Sequence, residues 1–239
     1  MNATPMRMLE QYPRAQRFVR RTVVAWQTPA HRRLLLALGW ALASVTAFAH
    51  IAEDYLTNDP LARWDVQFAN WLAGSRTVAG IDAFRVITFF GGPVVIFVGA
   101  AVATALLYRR RLLLGAVLLP LVVVGAELLN TILKLAFHRP RPEVAFVHLD
   151  TYSFPSGHAM MSAAAYGAIA YLAWGRVRTR RGRAALLAGT VAWVALICFS
   201  RLYLGMHYLS DVLAGAAGGV FWLAVSVALV TWLQAAGRR

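Results

Sequence analysis

Three short clusters in this 239-residue chain gather side chains suited to handling an anion and moving a proton. The first runs Lys134-Leu-Ala-Phe-His-Arg-Pro-Arg-Pro142. Pro140 and Pro142 cannot extend a helix and fix the chain that carries Arg139 and Arg141. An ammonium and a guanidinium on a rigid turn suit a phosphate, as one point charge and one planar fork. Lys134 taken alone reads equally as an interfacial charge that snorkels to water. The second cluster is Pro155-Ser156-Gly157-His158, directly ahead of an apolar run. Ser156 fits a helix N-cap, Gly157 permits close backbone approach, and the free N–H groups of a helix start attract an anion. His158 then stands beside that anion with a titratable proton. The third comprises Ser200-Arg201 and His207…Asp211. His207 and Asp211 share a face if a helix begins there, and a carboxylate on one ring nitrogen fixes the tautomer and frees the other nitrogen as nucleophile or base. Together the clusters offer three cations, a helix N-terminus, one oriented histidine and one free histidine. A phosphoryl group in transfer needs such a positive clamp, a nucleophile on one side and a proton donor on the other.

The elements that must position these residues are apolar. Hydrophobic residues make up 59% and charged residues 14% of the chain, with a net charge of +14. That balance excludes an ordinary soluble domain and a disordered chain, and it carries too little charge for a basic nucleic-acid-binding protein. The sequence predicts an all-α polytopic membrane protein. Six apolar stretches, at about 34–51, 92–108, 112–135, 159–177, 184–204 and 210–232, are each near the length that crosses a bilayer core. Residues 1–33 form a basic N-terminal segment, 34–235 one membrane domain, and 236–239 a short tail. Within the basic segment, 14–27 mixes arginine with apolar residues and reads either as a helix lying on the membrane surface or as a solvated tail. No cleavable signal peptide fits, since the run after residue 33 is too long for one. Cys198 stands alone in an apolar run and is expected to be a buried, inert thiol.

Arginine placement sets the expected topology. Seventeen arginines and one acid, Glu10, fall in the N-terminal segment, the second-to-third and fourth-to-fifth connections, and the C-terminus. The other connections and the spans share seven basic and nine acidic residues. Both termini are therefore expected in the cytoplasm, and the three clusters converge on the opposite, outer face. Ionisable groups near membrane depth point to function. The one lysine of the chain, Lys134, is among them. In the first outer loop, 65–72 can form a helix with Phe68, Trp71 and Leu72 on one side, read as a surface-lying helix or as a lipid-entry flap. Glu127, Asn130 and Lys134 share a stripe of the third span; Glu127 fits either a cross-helix hydrogen bond or support of Lys134. Arg139 and His138 flank the first cluster within reach of a substrate. His148 and Asp150 read as solvated loop residues, and His50, Glu53 and Asp54 as an interfacial group at the end of the first span.

The motifs Lys134…Arg141-Pro142, Pro155-Ser156-Gly157-His158 and Ser200-Arg201…His207…Asp211 resemble the signature of the type 2 phosphatidic acid phosphatase superfamily, the lipid phosphate phosphatases related to vanadium haloperoxidases. No motif position departs from that pattern. The resemblance implies that His207 attacks phosphorus to form a phosphohistidine and that Asp211 orients it. His158 would protonate the leaving group and then activate water. Lys134, Arg141, Arg201, Ser156 and Gly157 would hold the phosphoryl oxygens. No metal and no other cofactor is implied, and no carboxylate cluster sits there to hold Mg²⁺. The expected function is hydrolysis of a lipid phosphate or diphosphate at the outer face of the cytoplasmic membrane. Undecaprenyl diphosphate comes first on family prevalence, then phosphatidic acid or phosphatidylglycerol phosphate. A phosphotransferase on the same phosphohistidine and a non-enzymatic lipid-binding protein are the alternatives. The sequence leaves oligomeric state open and implies no nucleic-acid partner.

Overall fold

A computed structural model describes residues 29–57 and 60–236, so the expectation of a surface helix at 14–27 lies outside the described residues. Those residues form eight α-helices: α1 Pro29–Thr57, α2 Pro60–Gly74, α3 Val78–Phe89, α4 Pro93–Arg109, α5 Leu113–Phe137, α6 Gly157–Trp174, α7 Arg180–Tyr203 and α8 Leu209–Ala236. The six expected stretches correspond to α1 and α4 through α8. The first begins earlier and ends later than hydropathy suggests, taking Arg32 and Arg33 into its first turns.

Five segments are long and apolar enough to cross a membrane: Pro29–Thr57, Val78–Arg109, Leu113–Phe137, Arg180–Tyr203 and Leu209–Ala236. The fourth expected span, α6, is not among them. Its reason is packing. α6 contacts α8, α5, α7 and α4, and Ala159, Met160, Ala164 and Ala168 are fully enclosed. A helix that faces protein needs small residues for close approach rather than leucines for lipid. Val78–Arg109 is apolar over most of its length but breaks at Phe90-Gly91-Gly92, where Pro93 opens a new helix at its first position.

The tightest seam joins α6 to α8. A Cβ on Gly215 would strike the Ser156 carbonyl oxygen, and one on Gly219 would strike that of Met160. The two glycines are four apart, so the backbones touch along one stripe. Leu118, Leu119, Val122, Val123, Met160, Met161 and Val227 fill the core between α5, α6 and α8.

The connection between α1 and α4 is more structured than expected. It holds α2 and a second helix, α3, capped by the Thr77 side chain accepting from Gly80 N. The buried stripe of α2 is Asp65, Ala69 and Leu72. The Phe68 and Trp71 rings meet at 5.7 Å, as a shared side requires; Phe68 is half-buried and Trp71 67% exposed, so this aromatic side borders the buried stripe at Leu72. A corner fixes this region. Arg76 Nε donates to Tyr203 O at 2.6 Å and its Nη1 to Val144 O at 2.7 Å. Gly205, at φ 65°, lies where any side chain would strike the Arg76 guanidinium.

Candidate active site

The C-termini of α5 and α7 and the N-termini of α6 and α8 meet at one end of the bundle and bring the three clusters together. The arginine-rich turns after α4 and α6 lie at the opposite end. The approach to this site begins where α5 ends. His138 takes a left-handed conformation (φ 49°) as the helix C-cap, its N–H bonded to Lys134 O at 3.1 Å. The Arg-Pro-Arg-Pro segment then runs beside the segment preceding α6, held by Ser153 N donating to Arg139 O at 2.8 Å and Ser153 Oγ to Pro140 O at 2.9 Å. Ser156 N donates to Asp211 O at 2.9 Å, which ties the start of α6 to the first turn of α8.

His207 stands in the turn before α8 rather than on the helix, and Asp211 lies in the first helical turn. The two still meet. His207 Nδ1 faces Asp211 Oδ2 at 3.5 Å, and both residues are buried. The other oxygen of Asp211 accepts from Arg139 Nη1 at 2.7 Å. Tyr208 N donates to Asp211 Oδ2 at 2.9 Å. The remaining imidazole nitrogen, Nε2, is 3.4 Å from Arg141 Nη1. Burial first, then the charges of Arg201, Arg141 and Lys134, hold the His207 imidazole well below its ordinary pKa. It is therefore neutral at neutral pH, with a lone pair on the nitrogen that does not face Asp211.

Three cations surround this ring. Arg141 donates to four neutral oxygens: Thr151 O at 2.8 Å, Met206 O at 2.7 Å, Thr151 Oγ1 at 2.8 Å and Tyr152 O at 3.5 Å. Arg201 is buried at the end of α7, with Nη1 on Thr88 Oγ1 at 2.9 Å and Nε without a partner. Lys134 donates to Tyr152 O. His158, in the first turn of α6, is close enough to feel the charges of Arg201, His207, Arg141 and Lys134. Its ring lies against the α3–α4 turn, where a Cβ on Gly92 would sit 3.8 Å from His158 Nε2.

Ser156 occupies the N-cap position but makes no capping hydrogen bond; its hydroxyl is fully buried and without a partner. Gly157 is required by its neighbour, since a Cβ there would come within 2.9 Å of Asn130 Nδ2. Unpaired buried polar groups are costly. Here Ser156 Oγ, Arg201 Nε, Asn130 Oδ1 and His207 Nδ1 share that condition around the same helix ends, the last facing Asp211 at 3.5 Å without a hydrogen bond. Among the described residues no group of His, Cys, Asp and Glu is arranged to hold a metal ion.

Each of the ten site residues expected from the sequence can be placed. Lys134, Arg141, Ser156, Gly157, His158, Arg201, His207 and Asp211 converge. Arg139 is buried behind Asp211, bonded to it rather than facing outward toward a substrate. Glu127 is half-buried two turns before Lys134, and the ion pairs of the site do not include it. His148 and Asp150 are exposed, and His50 pairs with Glu53 at 3.4 Å on the surface. Two residues were not foreseen. Asp65 is buried against Arg139, and Thr88 holds Arg201. Both come from the region between α1 and α4, far from the motifs in sequence.

The description of the PAP2 superfamily matches residues 115–235 of the chain. Phosphatidylglycerophosphatase B of Bacillus subtilis (strain 168) is 36% identical over 133 residues, which are 54% of this chain and 62% of that protein. Sphingosine-1-phosphate phosphatase 1 of Rattus norvegicus is 37% identical over 85 residues, 32% of this chain and 19% of that protein. The matched segments thus span less than two thirds of these relatives. A crystal structure described as the first transmembrane PAP2 type phosphatidylglycerolphosphate phosphatase from Bacillus subtilis superposes with a TM-score of 0.72 at 26% identity, covering 82% of this chain and 96% of that one. The matched region contains all three motif clusters and the four helices whose ends carry them, and on that ground this multi-pass membrane protein belongs to the PAP2 superfamily.

Proposed function

We propose that the protein is a lipid phosphate phosphatase that works through a phosphohistidine on His207. The observation that carries this reading is the pairing of a buried, neutral imidazole with Asp211 on one side and three cations on the other. Nε2 of His207 attacks phosphorus, and the bond to the leaving oxygen breaks as His158, protonated once the negative charge of the bound phosphate offsets the surrounding cations, delivers its proton to it. His158, now neutral, takes a proton from water, whose oxygen attacks the phosphohistidine and releases inorganic phosphate and free His207. Lys134, Arg141 and Arg201 balance the charge on the phosphoryl oxygens, with Ser156 Oγ and the Gly157 N–H as further donors. The unpaired hydroxyl of Ser156 and unpaired Nε of Arg201 support this, since an oxyanion would supply the acceptors they lack.

The relatives shift the substrate order expected from the sequence. Phosphatidylglycerophosphate and sphingosine-1-phosphate, named for the similar proteins, are both lipid phosphomonoesters. We therefore place phosphatidylglycerol phosphate first, with undecaprenyl diphosphate and phosphatidic acid as comparison substrates. Arginine placement supports six crossings, both termini in the cytoplasm and a site on the outer face of the bacterial cytoplasmic membrane. The test is phosphate release by the purified protein from these three lipids with EDTA present. Release that orthovanadate inhibits supports the reading. Loss of activity in EDTA removes the metal-free mechanism, and preference for a soluble phosphomonoester removes the lipid assignment. Transfer to an added alcohol with no phosphate released to water would make it a phosphotransferase.

A further inference from the structure

Behind Asp211, beside the phosphate-facing cations, lie two charged residues, Arg139 and Asp65, that the reaction above does not use. Arg139 Nη1 donates to Asp211 Oδ1 at 2.7 Å and to Ser210 Oγ at 2.6 Å, and its Nη2 to Asp65 Oδ2 at 2.8 Å. Asp65 also accepts from Ser210 N at 3.0 Å and from Ser210 Oγ. The guanidinium is sandwiched between Tyr55 and Tyr208, 4.5 and 4.4 Å from their ring centres. Asp65 and Asp211 are the only buried acids among the described residues, at 1% and 0% exposure. They come from α2 and α8 and meet through one arginine.

The charge balance explains why two acids are needed. Arg139 takes Oδ1 and Tyr208 N takes Oδ2, which fixes the rotation of the Asp211 carboxylate with Oδ2 turned toward His207 Nδ1 at 3.5 Å. Alone, that pair would be neutral, and Asp211 could do little for the positive charge that His207 gains as it bonds to phosphorus. With Asp65 the triad carries one net negative charge. We propose that Asp65 and Arg139 are positioning residues: Arg139 aims Asp211, and Asp65 restores the negative charge that Arg139 would otherwise cancel. This rests on His207 being the nucleophile. The groups facing His207 are Lys134 from α5, Arg141 from the following loop, His158 from α6, Arg201 from α7 and Asp211 from α8.

The test uses the full chain in detergent, as wild type, Asp65→Asn, Arg139→Gln and the double variant. It combines kinetics with ¹⁵N histidine NMR, the His207 signal being assigned by its loss in His207→Gln. Asp65→Asn is expected to lower kcat about 10- to 100-fold with KM changed less than about 2-fold, because the charge is missed in the transition state rather than in binding. Arg139→Gln is expected to raise the His207 titration midpoint by about 1 unit, while Asp65→Asn moves it down. The double variant restores the net charge, so its midpoint should return to the wild-type value while kcat stays low, because the aim of Asp211 is lost. Shifts in the same direction for the two single variants, no shift in Arg139→Gln, or a loss confined to KM would overturn the proposal. A double variant with wild-type kcat would do so as well, and it decides the matter if a single variant does not fold. If wild type hydrolyses none of the lipids, the phosphatase reading fails, yet the titrations still decide the role of the triad.

Discussion

Arg139 and Arg141 stand two residues apart on one loop and meet opposite fates. Arg139 is buried, and carboxylates on either side neutralise it. Burial alone would lower its pKa, but Asp211 and Asp65 outweigh that and raise it. Arg141 is anchored entirely by uncharged oxygens, and burial dominates to pull its pKa down. The first is a structural cation whose charge is spent inside the protein. The second is held as firmly, yet its charge remains free for an anion. One proline-punctuated segment thus supplies both a girder and a ligand hook, and the nature of the acceptors, rather than the residue type, separates the two.

Four substitutions test that division. Replacing the nucleophile should have the largest effect: His207→Ala is expected to lower phosphate release by at least about 10⁴-fold. Equal turnover would remove the mechanism. Arg141→Met should lower kcat/KM by about 10²–10³-fold and cost less stability than Arg139→Met, since its lost partners are neutral oxygens rather than buried charges. Arg139→Met should do the reverse in emphasis, costing about 3–5 kcal/mol of stability because two carboxylates are left buried and unpaired. If the two variants lose stability equally, the distinction between them fails. Ser156→Ala should lower kcat/KM about 10-fold with no loss of stability, since its hydroxyl gives up no bond within the protein. The smallest effect concerns pH. The unfolded chain binds a proton on His207 near pH 6.5, whereas the folded site resists it. Stability should therefore fall as pH drops through about 6 and rise toward neutrality, and His207→Gln should flatten that slope.

The sequence announced the motif residues because their spacing is local or repeats along helix ends. Lys134 and Arg141 straddle one helix terminus, and His207 and Asp211 another, so short sequence separation keeps each pair at one helix end. Asp65 was illegible for the opposite reason. It lies 74 residues from Arg139 and 145 from Ser210, and an aspartate in an amphipathic stretch is ordinarily solvated. Thr88 was hidden in the same way, 113 residues from Arg201. The apolar pattern marked six stretches, because helices that face lipid or a packed core are both apolar; α6 stands out among them for alanines that report closeness to its protein neighbours. The break at Gly91 and Gly92 was legible as the start of the second stretch, whereas the helix before it, 78–89, was not.

The glycine seam between α6 and α8 bears on how the site responds to its surroundings. The segment bearing His158 and the segment supporting His207 are spaced by main chain against main chain at Gly215 and Gly219. No side-chain rotamer intervenes, so the interval is set by incompressible atoms rather than by a choice among conformers. Changes of bilayer thickness or temperature should then alter how readily a lipid reaches the pocket, while the interval between the two histidine-bearing segments stays constant. Enlarging the seam with a single methyl at Gly215 would act like a shim, parting the proton donor from the nucleophile without touching either.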